Sequence, residues 1–168
     1  MKNKRGKKAQ VFGLSFGVIF SIIIIIFILV VAGIAINHFL NLKKCAQVGM
    51  FIDDFQADVD SAWNSQSSSF EFSGSLPGSL DYVCFANLSE STNAHPDIVN
   101  DIDIYRQADA NLFFYPRQNA CDMPYHGIKH LDLEKITETK NPYCIAVDDG
   151  KVVIKIDKGF NEALVGLS

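Results

Sequence analysis

Four cysteines, Cys45, Cys84, Cys121 and Cys144, are the side chains of this sequence with the most chemistry open to them. All are far apart, so none forms the CxxC pair that would suggest structural zinc or thiol redox work. An even number of widely spaced cysteines suits disulfides, and four allow three pairings. We favour Cys45 with Cys84, stapling a helix to early strands, and Cys121 with Cys144, closing a later loop; buried free thiols are the alternative. The closest approach to a metal or catalytic cluster is Cys121, His126 and His130, with Asp122 and Glu134 nearby. Two histidines four apart can share a helix face and bind zinc. Here Pro124 and Gly127 break any such helix, and neither histidine belongs to an HExxH motif.

The acidic pairs Asp53 with Asp54, Asp101 with Asp103 and Asp148 with Asp149 read as solvated faces and turns rather than paired catalytic carboxylates. No nucleophile elbow and no phosphate-cradling glycine loop occurs. The expectation is therefore a protein that is not an enzyme and carries no cofactor. Asn87-Leu88-Ser89 is an acceptor triplet for N-glycosylation at the start of a polar loop.

The elements that must position these residues begin with an apolar run. From Ala9 to Leu42 the chain has no formally charged side chain, and it includes five isoleucines in succession, Ile22 to Ile26. A hydrocarbon core about 30 Å thick needs roughly 20 helical residues, and a helix satisfies its own backbone in lipid. Lys2, Lys4, Arg5, Lys7 and Lys8 precede the run and only Lys43 and Lys44 follow it closely. The positive-inside rule then puts the N-terminus in the cytoplasm. A cleaved secretory signal is the competing reading, with Gly33 and Ala35 as the small residues of a cleavage site, but signal h-regions run only about 7–15 residues.

Every Asp and Glu lies at or beyond Asp53, and the net charge is −4. An acidic outer domain without a basic stripe excludes a nucleic-acid partner. The bilayer is the expected partner of the apolar run. Gly13, Gly17 and Ser21 recur at every fourth position, a spacing that lets two membrane helices approach closely and self-associate.

Beyond the run, Phe39, Leu42, Ala46, Gly49, Ile52, Phe55, Val59 and Ala62 or Trp63 keep a helical spacing, with aspartates between them. One helix from about Gln10 to about Trp63 is the economical expectation, ended by the serines 65–69. Period-two patterning follows: a strand starting at Phe70 and Phe72, a turn at Leu76-Pro77-Gly78, and a strand from Leu80 to Leu88. A short helix from Pro96 to Ala108, a strand from Asn111 to Tyr115, and a hairpin of Cys144–Val147 with Lys151–Ile156 around Asp148-Asp149-Gly150 complete the pattern.

The expected fold class is α+β: a long N-terminal transmembrane helix continuing into an amphipathic helix, packed on a small, mostly antiparallel β domain. The divisions are a basic tail or leader over 1–9, a membrane helix over 10–38, an amphipathic helix over 39–66 and an extracytoplasmic domain over 67–168.

The basic leader, the Lys8-Ala9 junction, Gln10-Val11 and the long apolar helix leading to an α+β head resemble the archaeal type IV pilin-like proteins with class III signal peptides. The resemblance covers about the first third of the chain. It implies cleavage on the cytoplasmic side by a dedicated membrane peptidase, with Lys8 and Ala9 before the cut and Gln10 as the new N-terminus, and assembly of the freed helix into a filament core. Many members place a glutamate four residues beyond that glutamine and a serine two beyond it; this chain has Leu14 and Phe12. The chain is also similar to uncharacterised single-span envelope proteins of small-genome archaea. The function expected is a single-pass membrane-anchored surface protein of the pilin-like kind. Its alternative is an uncleaved anchored domain with a binding or structural role and no filament.

Overall fold

The computed structural model describes residues 16–168. Lys8, Ala9, Gln10 and Gly13 lie outside the described residues. The chain divides into two units, Met1–Leu40 and Asn41–Ser168. A single helix, α1 (Phe16–Asn64), contributes to both, and its 49 residues contain no break.

The second unit is α+β. Strands β1 (Ser68–Ser75), β2 (Tyr82–Phe85), β3 (Leu112–Tyr115), β4 (Tyr125–His126), β5 (Tyr143–Ala146), β6 (Lys151–Lys158) and β7 (Gly166–Leu167) form two antiparallel sheets, with α2 (Pro96–Ile102) and α3 (Leu133–Thr137) between them in sequence. One sheet has the order β1-β6-β7 and the other β4-β3-β2-β5.

The first sheet follows directly from alternation. Phe70, Phe72 and Gly74 stand opposite Ile156, Ile154 and Val152, and Ile154 and Ile156 are fully buried while the intervening Val153 is exposed. A period of two thus points one face at the core and the other at solvent. The inner strands of the second sheet, β2 and β3, are buried on both faces, so they are short unbroken apolar runs. Val83, Phe85, Leu112 and Phe114 join the main core with α1. Cys84 and Phe113, pointing the other way, join a smaller core with Ile98 and Ile102 of α2.

The part of α1 in this unit supplies the centre of the main core through Val48, Phe51, Ile52, Phe55, Val59 and Ala62. This corrects the expected stripe at its start. Val48 and Phe51 are buried, whereas Ala46 is exposed and Gly49 only half-buried. Apolar residues surround the helix between Phe39 and Ile52, so several tracks of spacing three and four can be drawn there. Contact with the Phe72 and Phe114 rings, 5.4 and 5.7 Å from that of Phe51, selects the real one.

Gly74 exists because of the same ring. A Cβ there would come within 2.8 Å of the Phe72 ring and closer still to that of Phe51. Filling that space forces two core rings off their positions, and overpacking of this kind costs about 1–3 kcal/mol. Gly74→Ala is therefore expected to lower the denaturation midpoint of the head, whereas Gly78→Ala, whose Cβ meets nothing within 4 Å, should leave it near the parent's.

The later elements depart from expectation in instructive ways. Asp148 and Lys151 exchange both main-chain hydrogen bonds at 2.8 Å across Asp149 and Gly150, which have φ of 47° and 72°. The expected two-residue turn is present, because both central residues take the positive φ such turns need. The strands it joins nevertheless enter different sheets, β5 beside β2 and β6 beside β1. It is a crossing between sheets rather than the start of a hairpin. The second strand ends at Phe85 instead of Leu88, and Ser68 and Ser69 belong to β1 rather than to a linker.

Candidate functional site

The residues of α1 from Gly17 to Lys44 are exposed without exception. They include Ile22 to Ile26, Phe27, Leu29 and Ile34, all large apolar side chains. A β-branched run of this kind is a poor helix former in water, but in lipid the backbone has no alternative to internal hydrogen bonds. Among the described residues α1 is the one helix long and apolar enough to cross a membrane, and its apolar window buries nothing within the chain. Phe39 and Leu42, expected on the amphipathic stripe, are exposed like the residues before them.

Of the small-residue spacing, Gly17 and Ser21 fall within the described helix. The Ser21 hydroxyl donates to the Gly17 carbonyl at 2.7 Å. The one hydroxyl on that face is thereby satisfied within its own helix, which leaves close backbone approach, not an interhelical hydrogen bond, as its contribution to packing. Gly33 and Ala35 sit in the middle of the unbroken helix.

All four cysteines are paired, but not as expected. Cys45 is bonded to Cys121 and Cys84 to Cys144. The reason is register. Antiparallel pairing of β2 with β5 sets Cys84 opposite Cys144, with Cα atoms 4.0 Å apart. Cys45 on α1 then meets Cys121 in the loop after β3. Disulfides persist in oxidising compartments. Two of them behind a segment able to span a bilayer are the chemistry of a membrane-anchored domain outside the cytosol.

The Cys121, His126 and His130 cluster does not assemble. The Cys121 sulfur is consumed by Cys45, and His126 lies on β4 opposite Leu112. His130 has its Nδ1 3.0 Å from Asp60 Oδ1 and its ring stacked 3.8 Å from that of Trp63. Asp122 and Glu134 are exposed. No group of three His, Cys, Asp or Glu side chains among the described residues could hold a metal ion. The acidic pairs are accounted for singly: Asp53, Asp54, Asp148 and Asp149 are exposed, Asp101 pairs with Arg117 and Asp103 with Arg106.

Two polar constructions escape a reading of the sequence. Trp63 donates its indole N–H to the Ala163 carbonyl at 3.1 Å while stacking on His130, so the end of α1 is latched to the C-terminal segment. Asn141 is buried and serves several strands of chain at once. Its side chain accepts from Asn87 N and donates to the Asn87 and Ser91 carbonyls, and its main-chain carbonyl accepts from Asn93 N. The residue pair Asn141-Pro142 signals only a turn in sequence; its role as a hub needs the partners, which lie about fifty positions away.

On the middle strand of the first sheet, Asp157 accepts from the Ser168 and Ser69 hydroxyls at 2.6 and 2.5 Å. Those two hydrogen bonds, with the Lys155 ammonium, hold its carboxyl below the ordinary carboxylate range. Its conjugate base thereby ties β1 and the C-terminus to β6. Comparison with protein-family models, with curated proteins and with solved structures finds no match to this chain.

Proposed function

We propose that the chain is a single-pass, membrane-anchored surface protein of pilin-like build. In this reading the basic N-terminus stays in the cytoplasm, the apolar half of α1 lies in the bilayer, and the disulfide-bonded head is presented outside. The observation that carries it is the division of labour along one continuous helix. Residues Gly17 to Lys44 are apolar in the main and bury nothing, whereas Val48, Phe51, Ile52, Phe55, Val59 and Ala62 form the centre of a core. An apolar surface of that extent requires a cover. Lipid supplies one, and the same helix from other copies supplies another, with Gly17 permitting close approach.

The second reading, an uncleaved anchor with a binding or structural head and no filament, is favoured by Leu14, which stands where many pilin-like proteins carry the assembly glutamate. N-terminal sequencing of the native protein separates the two. A mature chain beginning at Gln10, with surface filaments that disappear on deletion of the gene, is the result expected for the subunit. A mature chain that begins upstream of Lys7 would remove the processing route and leave the anchored domain.

A further inference from the structure

We infer that Asn87 is an N-glycosylation site, taking its sugar from a lipid-linked oligosaccharide; the inference rests on the extracytoplasmic placement of the head proposed above. Asn87-Leu88-Ser89 is the single Asn-x-Ser/Thr triplet in the chain.

The triplet leaves β2 and forms a turn. Ser89 N donates to Asn87 Oδ1 at 3.1 Å, and Glu90 N donates to the Asn87 carbonyl at 3.2 Å. A main-chain donor on one end of the carboxamide fixes that end as oxygen, and the other as nitrogen. Among the described residues Asn87 Nδ2 has no hydrogen-bond partner, and no buried side-chain nitrogen or oxygen is left without one. Nδ2 therefore reaches solvent. Ser89, whose hydroxyl the transfer requires, is exposed.

The structural duties of this residue are carried by other atoms. Its main-chain N–H and carbonyl are clamped by the side chain of Asn141 at 3.1 and 2.8 Å. Leu88 is buried in the smaller core, and Oδ1 makes the turn. The turn's own two hydrogen bonds span two and three residues, while Asn141 and Arg106, which donates to the Leu88 carbonyl, hold its main chain from distant segments. Asn87 and Ser89 also line an open cavity of about 540 Å³, together with Asp109, Asn111, His126 and Lys129. Proximal sugars attached at Nδ2 would have a polar surface beside them.

In the transfer a bond forms between Nδ2 and the anomeric carbon of the first sugar. The anomeric carbon's bond to the lipid phosphate breaks, the lipid phosphate leaves with the electron pair, and one Nδ2 proton passes to a base of the transferase.

The test is mass spectrometry of the full chain from its native membranes, with external protease applied to whole cells in parallel. A hexose or N-acetylhexosamine mass series on the peptide containing Asn87 is expected. It should disappear in Asn87→Asp, which keeps the turn's acceptor, and in Ser89→Ala, and survive in Ser89→Thr. An unmodified Asn87 on a head that external protease digests would overturn the glycosylation site and leave the topology standing. An unmodified Asn87 on a head protected inside the cell would overturn both. A mass excess that persists in Asn87→Asp would place the sugar elsewhere and end the proposal.

Discussion

Phe55→Asp is expected to leave the head unfolded. Phe55 is fully buried, and its ring lies 5.2 Å from that of Phe72, 5.6 Å from Phe85 and 6.0 Å from Phe51. Truncation of a buried phenylalanine to alanine alone costs about 3–5 kcal/mol, from a total that for a domain is roughly 5–15 kcal/mol. Aspartate adds the cost of a carboxylate without a partner in the same space. Val59→Asp, also fully buried, should act in the same direction. Ala46→Asp is the contrast, since Ala46 is exposed and surface changes generally stay within about 0.5 kcal/mol. Circular dichroism and denaturant titration of a fragment starting at Asn41 would compare the three. Equal melting of Phe55→Asp and its parent would mean that the helix does not enter the core, and a large loss from Ala46→Asp would mean that it enters on the other track.

Removal of either disulfide has the second largest expected effect. Cys45 and Cys121 are 76 positions apart. In the chain-entropy model, closing a loop of that length removes about 4 kcal/mol worth of unfolded-state freedom. Cys45→Ser with Cys121→Ser should accordingly lower the melting temperature by roughly 10–20 °C for a domain of this size. Cys84 with Cys144 closes a loop of similar length, at separation 60, and its loss should cost about as much. Its sulfurs also sit in the smaller core between β2, β5 and α2, so serine there would bury two hydroxyls in addition. Non-reducing peptide mapping gives a direct check. Linked peptides joining Cys45 to Cys84 would show that register is not what selects the partners.

Helix α1 carries the clearest lesson about what a sequence holds. Its existence, its C-terminal end and the exposure of its residues from Gly17 to Lys44 follow from the absence of charge between Ala9 and Leu42 and from apolar spacing beyond it. These are local properties of a helix, and bilayer thickness makes one of them a candidate membrane span. Two strands of the first sheet and their core faces, although not their pairing with each other, were legible for the same reason, because alternation along Phe70, Phe72, Val152, Ile154 and Ile156 is written in adjacent residues. So was the Asp149-Gly150 turn, whose geometry depends on two residues alone.

What the turn connects was not legible. A two-residue turn ordinarily closes a hairpin, and only the competition of β2 for β5 and of β1 for β6 sends the strands to separate sheets. Cysteine pairing shares that cause. Spacing alone allows three arrangements, and the one adopted follows from Cys84 and Cys144 falling opposite each other in a ladder between strands sixty positions apart. The Trp63 and His130 latch, the Asn141 hub and the short strands β4 and β7 likewise depend on distant neighbours.

The sequence by itself thus determined which segment is long and apolar enough to cross a membrane, that the part beyond it is α+β, and that its cysteines suit an oxidising compartment. Tertiary structure alone decided which face of α1 is the core face, which cysteines meet and which polar residues hold the loops. The physical reason is range: hydrophobic period, charge and turn conformation act within a few residues, whereas register and side-chain contact arise only when segments far apart in the chain compete for the same partner.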